Sequence, residues 1–378
     1  MDFSYSEDQN SIRDLAKQIF ESEVTPASLK VVDEASDWLH RPVWNALKGA
    51  ELLGVAIPVE FGGGGMGFAE LCLLLEEQGR VAAPVPILDT LVGAGLSIAT
   101  YGTPEQKKRF LRKIASGELY VATALAEEDS PDPMRPATRA TKTDAGWVLS
   151  GTKTCVGNCN LAEYVLLAAD CGNSELALFM VNTKIEGLSL EAQRTTTGQP
   201  MSRVRLEDAI VPENQVLGTP ESGRTILNRI MDHMMVGICA IQLGLSKKQL
   251  RMLAEYATSR KQFGQPLGAF QAVSQRAGDA YIDVESLRVS YLQAMWRLSQ
   301  GLESRREILI AKYWAAETGH RVSAAAQHIH GGMGVDCDYP LYRYTLLTKH
   351  LEFTLGGANQ TLGKLGALLA DPNYRSGE

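Results

Sequence analysis

Three short stretches of this sequence hold side chains whose types and spacing fit chemistry. The first, YATSRKQFGQPLGAFQAV (residues 256–273), sets Arg260, Gln262 and Phe263 ahead of Gly264 and Pro266, with Leu267, Phe270 and Gln271 just beyond. Arg260, Gln262 and Phe263 are expected to end one long helix, and Phe270 and Gln271 to open the next. Such a break exposes a cation, an amide and aromatic rings at one corner, a set that matches a phosphate and a flat ring. A surface turn carrying an arginine has the same residues, so the stretch by itself leaves both readings open. The second, QHIHGGMG (327–334), places His328 and His330 ahead of Gly331 and Gly332. A glycine pair lets a backbone approach a ligand closely, and it also caps a helix. A metal site is a poor reading, because no Cys, Asp or Glu cluster stands nearby in sequence. The third, KHLEFTLGGANQ (349–360), holds one carboxylate, Glu352, with Lys349 three residues before it. A surface ion pair is the expected role of that carboxylate, and a catalytic base is the sharper alternative.

Other suggestive stretches carry less. EFGGGGMG (60–67) lacks the lysine and the preceding strand of a phosphate loop, so a flexible turn is expected there. CVGNC (155–159) has the wrong spacing for a redox or zinc pair. No G-x-S-x-G elbow of a hydrolase occurs.

Composition bounds the class. The chain has 378 residues, 45% of them hydrophobic and 21% charged, as in ordinary globular proteins of two or three domains. Its formal charge of -7 argues against nucleic-acid binding, which needs a basic field. The first residues, MDFSYSEDQNSIRDLAKQIF, have no apolar signal core, and the longest apolar run, Met234 to Leu245, is too short for a membrane span. The six cysteines are scattered, which leads us to expect reduced thiols in a cytoplasmic protein.

The elements that must position these stretches fall into three regimes. Residues 1–118 read as helices: SEDQNSIRDLAKQIFESEV has helically spaced Ile12, Leu15, Ile19 and Phe20, MGFAELCLLLEEQGRVAA ends near Gly79, and a helix after Thr103 has that residue as N-cap and Pro104 at its first position. Residues 119–222 read as a β domain of short Val-, Leu- and Thr-rich runs: LYVATAL, GWVLSGTKTCV, AEYVLLAAD, ELALFMVNT and SRVRLEDAIVP, with a hairpin turn at TDAG. Residues 223–378 return to long amphipathic helices, over 225–263, 269–301, 304–330 and from about Tyr339, which predicts an antiparallel bundle. The tail DPNYRSGE is expected to fray.

Taken together, PVEFGGGGMG, LSGTKTCVGN, LEDAIVPENQVLG, SRKQFGQPLGAFQAV, HGGMG and DYPLYR, in this order over nearly the whole chain, resemble the acyl-CoA dehydrogenase family. The resemblance implies an α+β fold: an N-terminal helical domain, a central β-barrel or sandwich domain, and a C-terminal four-helix bundle. It also implies FAD as cofactor, an acyl-CoA substrate, removal of an α proton by a carboxylate, β-hydride transfer to the flavin, and an electron-transfer flavoprotein as acceptor. In that family one subunit's bundle grips the flavin's phosphates and adenosine, and another subunit's β domain holds the ring.

On the bundle side, Arg260, Gln262 and Phe263 match the family's Arg-x-(Gln/Thr)-Phe, Leu267 and Phe270 match contacts beyond it, and Gly331 and Gly332 match its Gly-Gly. His328 stands where the family has glutamine. On the β side the family's Thr-Glu-Pro-Gly-Ala-Gly-Ser-Asp is AEEDSPDP (126–133), with Ala126 for the threonine, and its Trp-Ile-Thr-Asn is CVGN (155–158), with Cys155 for the stacking tryptophan and Gly157 for the threonine. Counting from DYP puts the family's base on Leu355, about one helical turn beyond Glu352, and the alternative base position on Met234. Asp232 and His233 are adjacent to Met234 but face other sides of a helix. This pattern is similar to the base-lacking partner subunit of the heterotetrameric (α2β2) dehydrogenases of bacterial steroid side-chain degradation. It implies no catalytic residue here and a catalytic partner subunit. A self-sufficient homotetramer and a flavin-free acyl-CoA-binding or scaffold protein remain the alternatives.

Overall fold

The computed structural model describes residues 3–372 and 374, so most of the tail expected to fray lies outside the described residues. The first helices begin where the sequence supplies caps. In α1 (Glu7–Glu23) the Ser6 hydroxyl accepts from the Gln9 amide at 3.1 Å, and the Gln9 side chain accepts from the Ser6 amide at 3.1 Å. Then come α2 (Pro26–Glu34), α3 (Arg41–Gly49) and α4 (Phe68–Val81). A π-helix, Leu88–Gly95, runs directly into α5 (Leu96–Tyr101), and α6 (Pro104–Ala115) opens on Thr103 with the same reciprocal cap, made with Gln106. The helix expected to stop near Gly79 runs on to Val81. Gly79 lies within it because a Cβ there would stand 2.0 Å from the Ile241 carbonyl.

The strands are β1 (Val121–Ala124), β2 (Arg139–Thr143), β3 (Gly146–Gly157), β4 (Tyr164–Gly172), β5 (Glu175–Asn182), β6 (Leu188–Gln193), β7 (Met201–Val211) and β8 (Val216–Leu217). They form one sheet in the order β6-β7-β3-β2-β4-β5-β8, with β1 parallel to β4. The β2–β3 hairpin turns at Asp144–Ala145, pairing Thr143 with Gly146. Both faces of β4 and β5 are buried, which is why their sequences are unbroken apolar runs and not alternating ones. Val165, Leu167, Phe179, Val181, Leu149 and Leu206 share one core. The edge strand β6 is mostly exposed and carries little apolar signal, so the sequence pattern does not reveal it.

The C-terminal helices are α7 (Gly223–Ser259), α8 (Gln271–Ser299), α9 (Arg305–His330), α10 (Leu341–Phe353) and α11 (Ala358–Ala370). The fourth helix expected from about Tyr339 is therefore two, divided at Thr354–Gly357. A small hairpin of β9 (Lys261–Gln262) and β10 (Gln265–Pro266) lies between α7 and α8. Two compact units result. One joins Met1–Pro26 and Phe68–Ala83 to Met235–Glu378; the other joins Ala27–Gly67 to Pro84–Met234. No helix among the described residues is long and apolar enough to cross a membrane.

Candidate functional site

In the unit of C-terminal helices, α7 stops at Ser259, so Arg260, Gln262 and Phe263 follow the helix and do not end it. They enter the β9–β10 hairpin, whose two central residues, Phe263 (φ 51°) and Gly264 (φ 82°), are both left-handed. That is the backbone of a type I′ turn, which glycine adopts freely and phenylalanine does not. The Phe263 ring is 92% exposed, touching Phe270 edge-on at 6.2 Å between centroids. A hydrogen bond from the Leu267 amide to the Arg260 carbonyl, 2.8 Å, closes the turn. Arg260 and Gln262 are exposed, and among the described residues the Arg260 guanidinium has no ion-pair partner. Leu267 and Phe270 are half-buried, and Phe270 is the N-cap residue of α8.

The end of α9 lies against this corner. His330 is buried and stacks on Tyr256 with centroids 4.3 Å apart, while the Arg260 amide donates to the Tyr256 carbonyl. His330 Nδ1 lies 2.8 Å from the Ala326 carbonyl, and Nε2 lies 3.0 Å from the Tyr339 hydroxyl. Burial lowers its pKa. A neutral ring then donates from Nδ1 to the carbonyl and accepts at Nε2 from the tyrosine. His330 thus fastens the two motifs together, while His328 is exposed. Gly331 caps α9 at φ 59° and ψ −137°, a backbone that favours glycine. At Gly332, as at Gly331, no atom would lie within 4 Å of an added Cβ. Nothing among the described residues crowds that position.

Leu355 is half-buried at φ 58°, in the link between α10 and α11. Because α10 ends at Phe353, the expected separation of one helical turn between Leu355 and Glu352 does not hold. Glu352 pairs with Lys349 at 2.7 Å, and His320 stands 3.8 Å from the same oxygen. Beneath it Lys312, fully buried, donates to the Leu351 and Glu352 carbonyls at 3.2 and 3.1 Å, a cation at a helix C-terminus. Burial brings its pKa down to about 8.

In the sheet-containing unit, Met234 is 4% exposed within α7. His233 Nδ1 lies 2.7 Å from the Arg229 carbonyl, and burial brings that ring down to about 4. Cys155 sits in a bulge of β3, at φ 51°, where the pairing with β7 slips between Lys153 and Val156. Its thiol is exposed and its amide donates to the Gln193 side chain at 2.9 Å. The segment 126–133 is held by a buried ion pair, Glu127 with Lys153 at 2.5 Å, and the Thr138 hydroxyl donates to the same carboxylate at 2.6 Å. Burial alone would raise Glu127, but Lys153 and these donors hold its pKa below the usual value.

Residues 6–118 match the family described as acyl-CoA dehydrogenase, N-terminal domain, and residues 221–367 match acyl-CoA dehydrogenase, C-terminal domain. The acyl-CoA dehydrogenase FadE27 of Mycobacterium tuberculosis is 34% identical over 98% of this chain and 99% of its own length. This chain belongs to the acyl-CoA dehydrogenase family. Among solved structures, the ChsE4-ChsE5 complex from Mycobacterium tuberculosis superposes with a TM-score of 0.93 at 34% identity, covering 98% of this chain and 99% of the other. The Tcur3481-Tcur3483 steroid acyl-CoA dehydrogenase, a G363A variant, gives a TM-score of 0.90 at 38% identity, with 97% and 98% covered. The family's arrangement of an N-terminal helical part, a central sheet and C-terminal helices is the fold of this chain.

Two features of the corner are not apparent in the sequence. Tyr256 and Tyr339 clamp His330, yet they are distant from it in sequence or lie on another element. Their only signal is an aromatic residue one helical turn before Arg260 and another in DYP.

Proposed function

We propose that this chain is the non-catalytic subunit of a heterotetrameric (α2β2) FAD-dependent acyl-CoA dehydrogenase acting on a bulky steroid side-chain CoA thioester. The observation that carries this is the chemistry of two positions: Leu355 and Met234 stand where the family resemblance puts a base, and neither side chain accepts a proton. The bundle-side corner, by contrast, fits the phosphate and adenosine part of FAD. Arg260 offers an unpaired guanidinium, Phe263 an exposed ring, and Gly332 an uncrowded backbone. Gln262, Leu267, Phe270, His328 and Gly331 complete that reading. On the sheet side Cys155 and Gly157 provide neither the stacking ring nor the hydroxyl expected there, so that half does not fit a flavin ring. When bound, the flavin accepts the hydride of α,β-dehydrogenation.

In this division of labour the catalytic subunit supplies the base and the ring contacts, and an electron-transfer flavoprotein takes the electrons. The 119–222 region carries the altered ring side and the 223–378 region the kept phosphate side; residues 1–118 form the N-terminal helical domain. The steroid assignment is supported by the similarity to a steroid acyl-CoA dehydrogenase. All six cysteines are unpaired, which supports a reducing, cytoplasmic setting.

The test is to purify the chain alone and with a co-expressed candidate catalytic subunit, then to record the 450 nm flavin band and dye reduction with a steroid acyl-CoA. Colour and activity only on co-expression support the proposal. Yellow, active protein from this chain alone would make it a self-sufficient homotetramer, and absence of flavin in both preparations would leave an acyl-CoA-binding or scaffold protein.

A further inference from the structure

Asp89 is a carboxylate that the proposed function does not use. It lies in the first turn of the π-helix Leu88–Gly95, and that rare geometry is frequent at functional sites. The widened turn is riveted to β1. The Thr90 hydroxyl donates to the Val121 carbonyl at 3.1 Å and accepts from the Val121 amide at 3.2 Å. The Thr123 hydroxyl donates to the Asp89 carbonyl at 3.1 Å. Gly93 permits the approach, since a Cβ there would stand 2.3 Å from the Thr123 hydroxyl.

The Asp89 side chain reaches the end of β3. Its Oδ2 accepts from Asn158 Nδ2 at 2.6 Å, and Asn158 is itself left-handed, at φ 57°. A Cβ on Gly157 would lie 3.5 Å from Asp89 Oδ2 and 3.3 Å from Gln199 Nε2, so the two polar groups converge over a spot the glycine leaves bare. Asp89 Oδ1 and the Gln199 carboxamide have no partner among the described residues, and both side chains are half-buried. Burial pushes the Asp89 carboxyl up to about 7, against the lowering effect of the Asn158 hydrogen bond. Among the described residues, the other titratable group facing it is the Cys159 thiol, pushed up to about 12 by burial and by Asp89.

We propose that Asp89, Asn158 and Gln199 form a binding site for an uncharged hydroxyl group of a steroid ligand, the hydroxyl donating to Asp89 and accepting from Gln199. Charged ligands fit the site less well. An anion would meet the carboxylate, and a cation would meet the amide hydrogens of Asn158 and Gln199. A hydroxyl offers one donor and one acceptor, which is what Asp89 and Gln199 together complement. The site rests on the steroid reading above for its ligand's body, and on Asp89 and Gln199 alone for its polar selectivity.

The test uses the co-expressed complex and two probes that differ only in ring hydroxyls, cholyl-CoA and 5β-cholanoyl-CoA, with dissociation constants from calorimetry. A net gain of one charge-assisted hydrogen-bonded contact corresponds to a preference for the hydroxylated probe of about tenfold. Gln199→Ala and Asp89→Ala should each reduce that preference several-fold while leaving 5β-cholanoyl-CoA binding unchanged. Gln199 lies on a half-exposed loop, so its variant remains informative should the Asp89 variant fail to fold. Equal affinities for the two probes in the unaltered complex, or a preference that survives both substitutions, would overturn the site. Flavin content and dye reduction of the same samples report separately on the function proposed above. A hydroxyl preference without flavin would overturn that function and retain the site.

Discussion

The buried ion pair under the segment 126–133 makes a prediction whose size follows from its surroundings. Lys153 and Glu127 side chains are 1% and 3% exposed and 2.5 Å apart, and Thr138 and two backbone amides fill the remaining acceptor positions. Replacing Lys153 by methionine preserves most of the volume but leaves a carboxylate without its counter-charge in the sheet core. Removing one partner of a buried pair costs about 3–5 kcal/mol, whereas replacing both with uncharged groups is often close to neutral. Lys153→Met should therefore lower the urea midpoint sharply, and Glu127→Gln should do the same. The Glu127→Gln/Lys153→Met double variant should recover most of the loss. The assay is chemical unfolding followed by tryptophan fluorescence, to which Trp147 in the same sheet core contributes. Acid should act in the same direction. The Glu127 pKa is lowered in the folded state, so its stabilisation is present above the ordinary carboxylate range and is lost as pH falls through the folded value. Single variants that cost less than about 1 kcal/mol, or a double variant as weak as the worse single one, would refute this account of the pair.

Further outcomes follow from individual positions. Arg260→Ala in the co-expressed complex should weaken flavin retention about tenfold or more, read as the 450 nm absorbance left after gel filtration, because the proposed charge-assisted contact of this exposed arginine with a flavin phosphate would be lost. Leu355→Gly should raise the unfolding free energy by about 1 kcal/mol by relieving a left-handed leucine, and should leave dye reduction by the complex unchanged. Asp89→Asn should raise stability more at pH 8 than at pH 5, by about 1–2 kcal/mol after allowance for solvent screening. The sign follows because a carboxyl raised to about 7 in the folded state binds more protons than the unfolded chain between the two pKa values, so the native aspartate loses stability as pH rises through that window.

Much of the fold was legible because local signals and the hydrophobic pattern agree. Thr103 followed by Pro104 announces α6, and TDAG ahead of the run GWVLSGTKTCV announces the β2–β3 turn. What escaped is non-local or contrary to propensity. The sequence does not reveal that α1 and α4 join the C-terminal helices in one unit, because that association is made by tertiary packing. The π-helix is set by threonine hydroxyls bonding to β1, and no period in the sequence announces it. The β9–β10 hairpin places Phe263 in a left-handed position that phenylalanine disfavours, so the residue types around it give no sign that the helix stops before Phe263. At the corner, the exposed groups Arg260, Gln262 and Phe263 were legible from their types, while the clamp of Tyr256, His330 and Tyr339 was not, because its members meet only in three dimensions.

The proposed division of one prosthetic site between two kinds of subunit fixes how much flavin the complex can hold. The co-expressed complex should be denatured, its released FAD measured by absorbance, and its two polypeptides quantified separately. One flavin for each pair of unlike chains is the predicted result. One flavin on every chain, this one included, would overturn the proposed division.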